Sequence, residues 1–225
     1  MINTQSPRVL ITGCTGNLGQ ACIMLATHRG WDYELVSRQR GLDLSNWDAT
    51  EQFVTRDSNY DMVIMAHGAH CIISAGDTTE GDYRYVLDNN LASCVSLTSA
   101  LLRHLKLNPG GLLVYCSSIQ ATHTRAGRAL YAASKAGIEG YMRGVAAELA
   151  DGRRALALRM GQLDAQMHDV KLDDVEIARL QARCYIAWNK PADVAKLIFD
   201  LYAQPGITGC CLDVDSGQGN NIWSS

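Results

Sequence analysis

Two stretches, "YDMVIMAHGA" (60–69) and "GGLLVYCSS" (110–118), constrain the fold most. Both are nearly continuous apolar runs. A strand with one wet face alternates apolar and polar residues, whereas an unbroken run marks a strand covered on both faces, as in a parallel sheet sandwiched by helices. The other segments fit that frame. "RVLITG" (8–13), "YELVSR" (33–38), "RALALRM" (154–160) and "GCCLDVDSG" (209–217) read as further strands. Between them lie helical patterns: "NLGQACIMLATHRG" ending on Gly30, "NWDATEQFVTRD" starting at Ser45 or Asn46, a helix around 81–107, "LYAASKAGIEGYMRGVAAELA" (130–150), and "KPADVAKLIFDLYAQ" (190–204) with Pro191 in its first turn. Strand and helix alternate with no internal repeat, composition break or low-complexity linker. The expectation is an α/β fold, a doubly wound parallel sheet with helices on both faces, occupying 1–225 as one domain.

Composition excludes several function classes. Net charge is −3 and no basic stretch is dense enough to follow a phosphate backbone, so no nucleic-acid partner is expected. The opening "MINTQSPRVLITG" lacks the apolar core of a signal peptide, and no apolar run reaches membrane-spanning length, so the expectation is a soluble, cytoplasmic protein without a membrane partner. The eight cysteines form no CxxC and the six histidines no HxxxH. They read as free thiols in a reducing compartment, and no metal site is expected.

In such sheets ligands bind outside the carboxyl ends of the strands. There, "TGCTGNLG" places Gly13, Thr15, Gly16, Asn17, Leu18 and Gly19 between the first strand and the first helix. Glycines permit the tight turn and let the backbone approach a pyrophosphate, whose charge then meets helix N-terminal N–H groups. This is the context a dinucleotide-binding, Rossmann-like unit requires. The second strand ends "VSRQR", with Ser37, Arg38 and Arg40 and no carboxylate until Asp43. An acidic residue there would hold the ribose hydroxyls of NAD, whereas a hydroxyl and a guanidinium suit a 2′-phosphate, so NADP(H) is expected in preference to NAD(H).

With the glycine loop, "CSS" and "YAASK" taken together, the chain resembles the short-chain dehydrogenase/reductase family over nearly its whole length, from "VLITGCTGNLG" to "DVDSG". The tyrosine–x–x–x–lysine motif falls on Tyr131 and Lys135. The family serine, thirteen residues earlier, falls on Ser118, and the family asparagine on Asn90 in "LDNNLAS". The resemblance also assigns cofactor contacts to Asp43 and Leu44 in "LDLS", to Ala66, His67 and Gly68 in "AHGA", and to Met160 and Gly161 in "LRMGQ". Departures are visible as well. The glycines are spaced GxxGxxG, Met160 and Ala165 stand where the family often has proline and threonine, and His67 and Gly68 replace an asparagine and an alanine.

The chemistry implied is carbonyl reduction or its reverse. Tyr131 is the expected general acid or base, because an ammonium one turn away on the same helix face favours a phenolate. Lys135 is expected to tune Tyr131 and hold the nicotinamide ribose, Ser118 to hydrogen-bond the substrate oxygen, and Asn90 to hold a water that relays protons to Lys135. Ser117 should point to the opposite face of its strand. A segment over about 162–189, containing Met167, Tyr185 and Trp188, is expected to roof a small-molecule carbonyl or alcohol substrate, beside a loop bearing His123, Arg125 and Arg128. Two other readings stay open: an epimerase- or dehydratase-like enzyme with transient hydride transfer, suggested by GxxGxxG, and a non-catalytic NADP-binding regulator. The resemblance further implies a homodimer or homotetramer.

Overall fold

Six strands lie in the order β2-β1-β3-β4-β5-β6, every pair parallel, in a computed structural model that describes residues 6–164, 177, 178, 182, 184 and 187–221. They are β1 (Arg8–Thr12), β2 (Asp32–Val36), β3 (Tyr60–Met65), β4 (Leu107–Ser118), β5 (Arg154–Met160) and β6 (Cys211–Val214). The order in which strands are added reverses between β1 and β3, the switch point at which such sheets bind ligands. This is the doubly wound α/β fold that the unbroken apolar runs require. Val63 and Tyr115 face one core and Ile64 and Val114 the other, all 0 % exposed, so each strand is buried twice. Each such side chain contributes about 1.5–3 kcal/mol of burial.

α1 (Asn17–His28) and α6 (Pro191–Tyr202) cover one face, and α2 (Trp47–Val54), α4 (Ser93–Arg103) and α5 (Ala129–Glu148) the other. α3 (Glu80–Leu87) precedes α4 and is closed by a capping box between Thr79 and Asp82. Trp31 stacks edge-on against Phe199 and Tyr202, pinning α1 to α6. Arg154, only 4 % exposed, donates to the carbonyls of Leu201, Tyr202 and Gln204, so a buried cation closes the carboxyl end of α6 where the peptide dipoles leave negative charge.

Several boundaries differ from the sequence expectation for local reasons. The strand expected over 60–69 stops at Met65, because residues 66–69 turn aside to meet α4 and α5. The helix expected around 81–107 ends at Arg103. Leu105 takes φ +53, a left-handed value that breaks the helix, and the chain enters β4 at Leu107. Between α3 and α4 the helix widens into a π turn over Asp88–Ala92. The final strand is short, Cys211–Val214, framed by left-handed Gly209, Ser216 and Gly217.

Candidate active site

The glycine loop owes its residues to packing as much as to any ligand. Gly13 has φ +64, and a Cβ there would lie 2.6 Å from both the Ala66 carbonyl oxygen and the His67 nitrogen. A Cβ on Gly19 would overlap the Gly13 carbonyl. Leu18 is buried in the core beneath. Gly16 is different: a Cβ would sit 3.4 Å from the Gly13 carbonyl, an ordinary contact. Gly13, Thr15 and Gly16 line an open cleft of about 580 Å³, whereas Leu18 and Gly19 shape it from behind. α1 starts at Asn17 with no capping side chain on Gly16 and no acidic residue in its first turn, an arrangement that favours an anion at its N-terminus.

The cleft runs from this loop to the end of β2. Arg38 lies in the single turn Arg38–Arg40, exposed, with no carboxylate partner among the described residues. The Ser37 hydroxyl is buried and makes no hydrogen bond in this structure. A buried hydroxyl without a partner is uncommon. Beside an unpaired arginine it fits a ligand carrying a phosphate. Asp43 also lines the cleft, its Oδ1 accepting from the backbone and hydroxyl of Ser45 (2.9 and 2.8 Å), while Leu44 is buried. Arg40 faces a separate shallow cavity with Arg56 and Phe53.

At the end of β3, Ala66, His67 and Gly68 form the cleft wall. The His67 ring is occupied on both sides. His67 Nε2 pairs with Ser93 Oγ (2.8 Å) and Nδ1 with the Thr12 hydroxyl (2.5 Å), and those two hydroxyls also reach the Asn89 and Ile64 carbonyls (2.9 and 3.2 Å). Burial, and then the charges of Lys135 and Arg38, push the His67 pKa down to about 3, so the ring is neutral. His67 thus braces the wall between β1 and α4. Ser93 and Asn89 also line the cleft, and sequence reasoning passed over both. They sit three and four positions apart from companions on one helical face, a spacing that a helical projection would have exposed.

Asn90, 0 % exposed, lies in the π turn. Its Oδ1 accepts from the Ala69 N–H (2.6 Å), and its Nδ2 donates to the Ala69 carbonyl (2.9 Å) and to Ser134 Oγ (2.8 Å). Both amide hydrogens are therefore used in tying the loop after β3 to α5. A Cβ on Gly68 would lie 2.7 Å from Asn90 Oδ1 and 3.5 Å from Lys135 Nζ, so Gly68 joins the cleft to the tyrosine–lysine helix.

On α5, Lys135 is 5 % exposed and its Nζ donates to the Cys116 carbonyl at 2.8 Å, two residues before Ser118. The same nitrogen lies 5.7 Å from the centre of the Tyr131 ring. Tyr131 is half-buried, with the His70 ring packed edge-on at 5.1 Å. Ser118 Oγ accepts from the Gln120 N–H at 3.2 Å. Ser117 points elsewhere and donates to Glu139 at 2.7 Å, as strand alternation requires. Burial works to raise the Glu139 carboxyl, but the hydrogen bonds and charge of Arg159, together with Ser117, hold it below its ordinary value. This ion pair fastens α5 to β5 alongside the tyrosine–lysine helix.

Met160 pairs with both Ser118 and Val214 across the sheet. Gly161 accepts no side chain, because a Cβ would lie 2.8 Å from Gln218 Oε1 and 2.9 Å from the Asp215 Cα. Neither residue lines the cleft described above. Of the expected roof, Ala165, Met167 and Tyr185 lie outside the described residues. Its ends are held together by the bridge between Leu163 and Asn189.

Comparison with known proteins agrees with the fold. Residues 42–218 match a protein family described as Enoyl-(Acyl carrier protein) reductase. The 3-oxoacyl-[acyl-carrier-protein] reductase of Chlamydia pneumoniae is 25% identical over 237 residues, covering 93% of this chain and 96% of its own. Carbonyl reductase family member 4 of Danio rerio is 32% identical over 136 residues, 60% of this chain and 56% of its own. Among solved structures, a small-chain dehydrogenase in complex with NADPH superposes with TM-score 0.87 at 21% identity, covering 96% of this chain and 100% of its own. A short chain dehydrogenase from Burkholderia cenocepacia in complex with NADP gives 0.82 at 25%, covering 96% and 98%.

The fold and these matches place the protein among the nucleotide-binding α/β oxidoreductases. The chain belongs to the short-chain dehydrogenase/reductase family. Among the described residues no helix is long and apolar enough to cross a membrane.

Proposed function

We propose that this protein is an NADP(H)-dependent oxidoreductase that reduces a ketone or aldehyde to an alcohol, or runs the reverse reaction, with Tyr131 as the general acid or base. The observation that carries this reading is the junction at Gly68. There the cleft meets Lys135, whose ammonium is anchored on β4 beside Ser118 and lies over the Tyr131 ring.

In this reading the glycine loop and the α1 N-terminus hold the pyrophosphate, Ser37 and Arg38 hold the 2′-phosphate, and Asp43 and Leu44 border the adenine. The preference for NADP(H) over NAD(H) rests on Arg38, which has no carboxylate partner among the described residues, and on the Ser37 hydroxyl. The bound reduced nicotinamide supplies a hydride. The chain's own residues do the rest. Ser118 donates a hydrogen bond to the substrate oxygen as negative charge grows on it, and Tyr131 delivers the proton to that same oxygen. Lys135 keeps a positive charge near the phenol, which stabilises the tyrosinate left behind. Asn90 acts as a positioning residue, because its side chain is committed to Ala69 and Ser134. A water serving a proton relay would be held by other atoms of the π turn. Met160 and Gly161 border the nicotinamide end, next to Ser118 in the sheet register.

Cytoplasmic residence, a single nucleotide-binding unit over 1–225, and assembly as a homodimer or homotetramer belong to the same proposal and rest on family membership. The test is consumption of NADPH, followed at the reduced-nicotinamide absorbance, with a panel of ketones and aldehydes. Stoichiometric nucleotide oxidation that vanishes in Tyr131→Phe supports the reading. Substrate conversion with no net change in nucleotide would replace it with an epimerase-like reaction.

A further inference from the structure

Next to Tyr131 sits a cation with no counter-ion among the described residues. Arg128 precedes the first residue of α5, and its Nη1 donates to His70 Nδ1 at 3.2 Å. A guanidinium can only donate, so this bond fixes His70 as the tautomer protonated on Nε2. Burial, followed by the charges of Arg128 and Arg125, pushes the His70 pKa down to about 4 and keeps the ring neutral. The same ring packs edge-on against Tyr131. Arg128, His70 and Tyr131 therefore form one contiguous row.

Four features of that row point to a ligand. Arg128 is half-buried, and no carboxylate pairs with it among the described residues. Burial and the neighbouring charge of Arg125 both work against its cationic form. A desolvated cation beside a like charge is costly unless an anion arrives. The N-terminus of α5 adds to the positive field, since that twenty-residue helix has no side-chain cap and no acidic residue in its first turn. With Nη1 held by His70, the Nε–Nη2 edge of Arg128 has no partner among the described residues. That edge offers two parallel N–H donors, the geometry that matches a carboxylate.

We propose that Arg128, aimed by His70, binds a carboxylate on the substrate, so that the protein acts on carbonyl compounds that carry an acid group a short distance from the reacting carbon. The inference rests on the reductase reading of Tyr131 and adds the substrate class to it. Arg128 is the specificity-determining residue and His70 a positioning residue.

The probes are 4-formylbenzoate and its methyl ester, a pair of aldehydes alike in reactivity and differing in charge. With NADPH present, the wild-type kcat/KM for the acid exceeds that for the ester at least tenfold. Arg128→Gln lowers this acid-to-ester ratio by about tenfold or more, chiefly through KM, as expected for loss of a charge-assisted bidentate contact. His70→Gln keeps an acceptor for Arg128 and keeps most of the ratio, whereas His70→Phe keeps the ring contact with Tyr131 and loses it. NADPH titration of each variant establishes that it is folded. A wild-type ratio near one, or a ratio that Arg128→Gln leaves unchanged, overturns the proposal.

If neither aldehyde is reduced, calorimetry on the NADPH-loaded protein with benzoate and benzamide separates the two claims. Benzoate binding that benzamide does not reproduce and Arg128→Gln abolishes upholds the carboxylate site while the reductase reading fails. Equal binding of the two, or none, overturns the site itself.

Discussion

Two regions of the candidate site are built on opposite plans. In the region proposed to receive the nucleotide the polar groups are left open: among the described residues Ser37 Oγ is buried without a partner, Arg38 has no carboxylate, and the Gly16 cap of α1 offers no side chain. In the region proposed for the reaction each supporting group is bonded to its own neighbours. Asn90 is saturated by Ala69 and Ser134, Lys135 is bound to Cys116, His67 is braced on both nitrogens, and Glu139 is clamped by Arg159 and Ser117. Open donors suit a surface that must receive charge from outside. Closed networks suit side chains that must stay fixed while a proton moves past them. The contrast yields predictions that separate binding from chemistry.

The largest effect falls on the reaction end. Tyr131→Phe lowers kcat by about 10²–10⁴, the scale of a lost general acid, while NADPH titration gives an affinity within a factor of three or so of wild type. Next comes Asn90→Leu, which strands the Ala69 N–H and carbonyl and the Ser134 hydroxyl. Urea denaturation should show a loss of about 3 kcal/mol, since each buried polar group left unpaired costs roughly 1–3 kcal/mol. Gly13→Ala places a Cβ against the Ala66 and His67 backbone at a left-handed φ. It should cost about 2 kcal/mol of stability and greatly weaken nucleotide binding, measured by the same two methods.

Smaller still is Arg38→Ala at the open end. It weakens NADPH about tenfold by fluorescence titration, the scale of one charge-assisted contact, and affects NADH much less. A pH series closes the set. His67 is neutral in the fold at about 3 and titrates near its ordinary value of 6.5 when unfolded. The unfolded chain therefore takes up a proton that the folded one refuses as the pH drops below 6.5. Thermal stability should fall between pH 7 and pH 5, above the range where most carboxylates protonate. His67→Asn should lessen that slope and leave the share of His70, whose pKa is likewise pushed down, to about 4.

The nucleotide end was the more legible in sequence, and the reason is distance along the chain. Gly13, Gly16, Ser37 and Arg38 act through their own backbone or their own strand end, so a local pattern suffices to find them. The buried runs likewise revealed strands covered on both faces. The reaction end depends on contacts between remote segments. Asn90 reaches Ala69 and Ser134, 21 and 44 residues away. His70 meets Arg128, 58 residues away, and lies against Tyr131. Spacing located Tyr131 and Lys135 as neighbours on one helix, but no local signal foretold the π turn that presents Asn90. Nor did any foretell that the His67 ring, expected to touch the cofactor, would be spent on Thr12 and Ser93. Arg154 opens a strand in the sequence pattern, and only the packed fold shows it closing α6.

The central claim is that nucleotide binding and proton transfer reside in separate, differently built regions that meet at Gly68. Its most direct measurement is a fluorescence titration of NADPH and NADH into wild type, Tyr131→Phe and Arg38→Asp. The account predicts saturable binding with NADPH ahead of NADH in wild type, the same order in Tyr131→Phe, and loss of the NADPH preference in Arg38→Asp. Failure of both nucleotides to saturate the wild-type protein would contradict it.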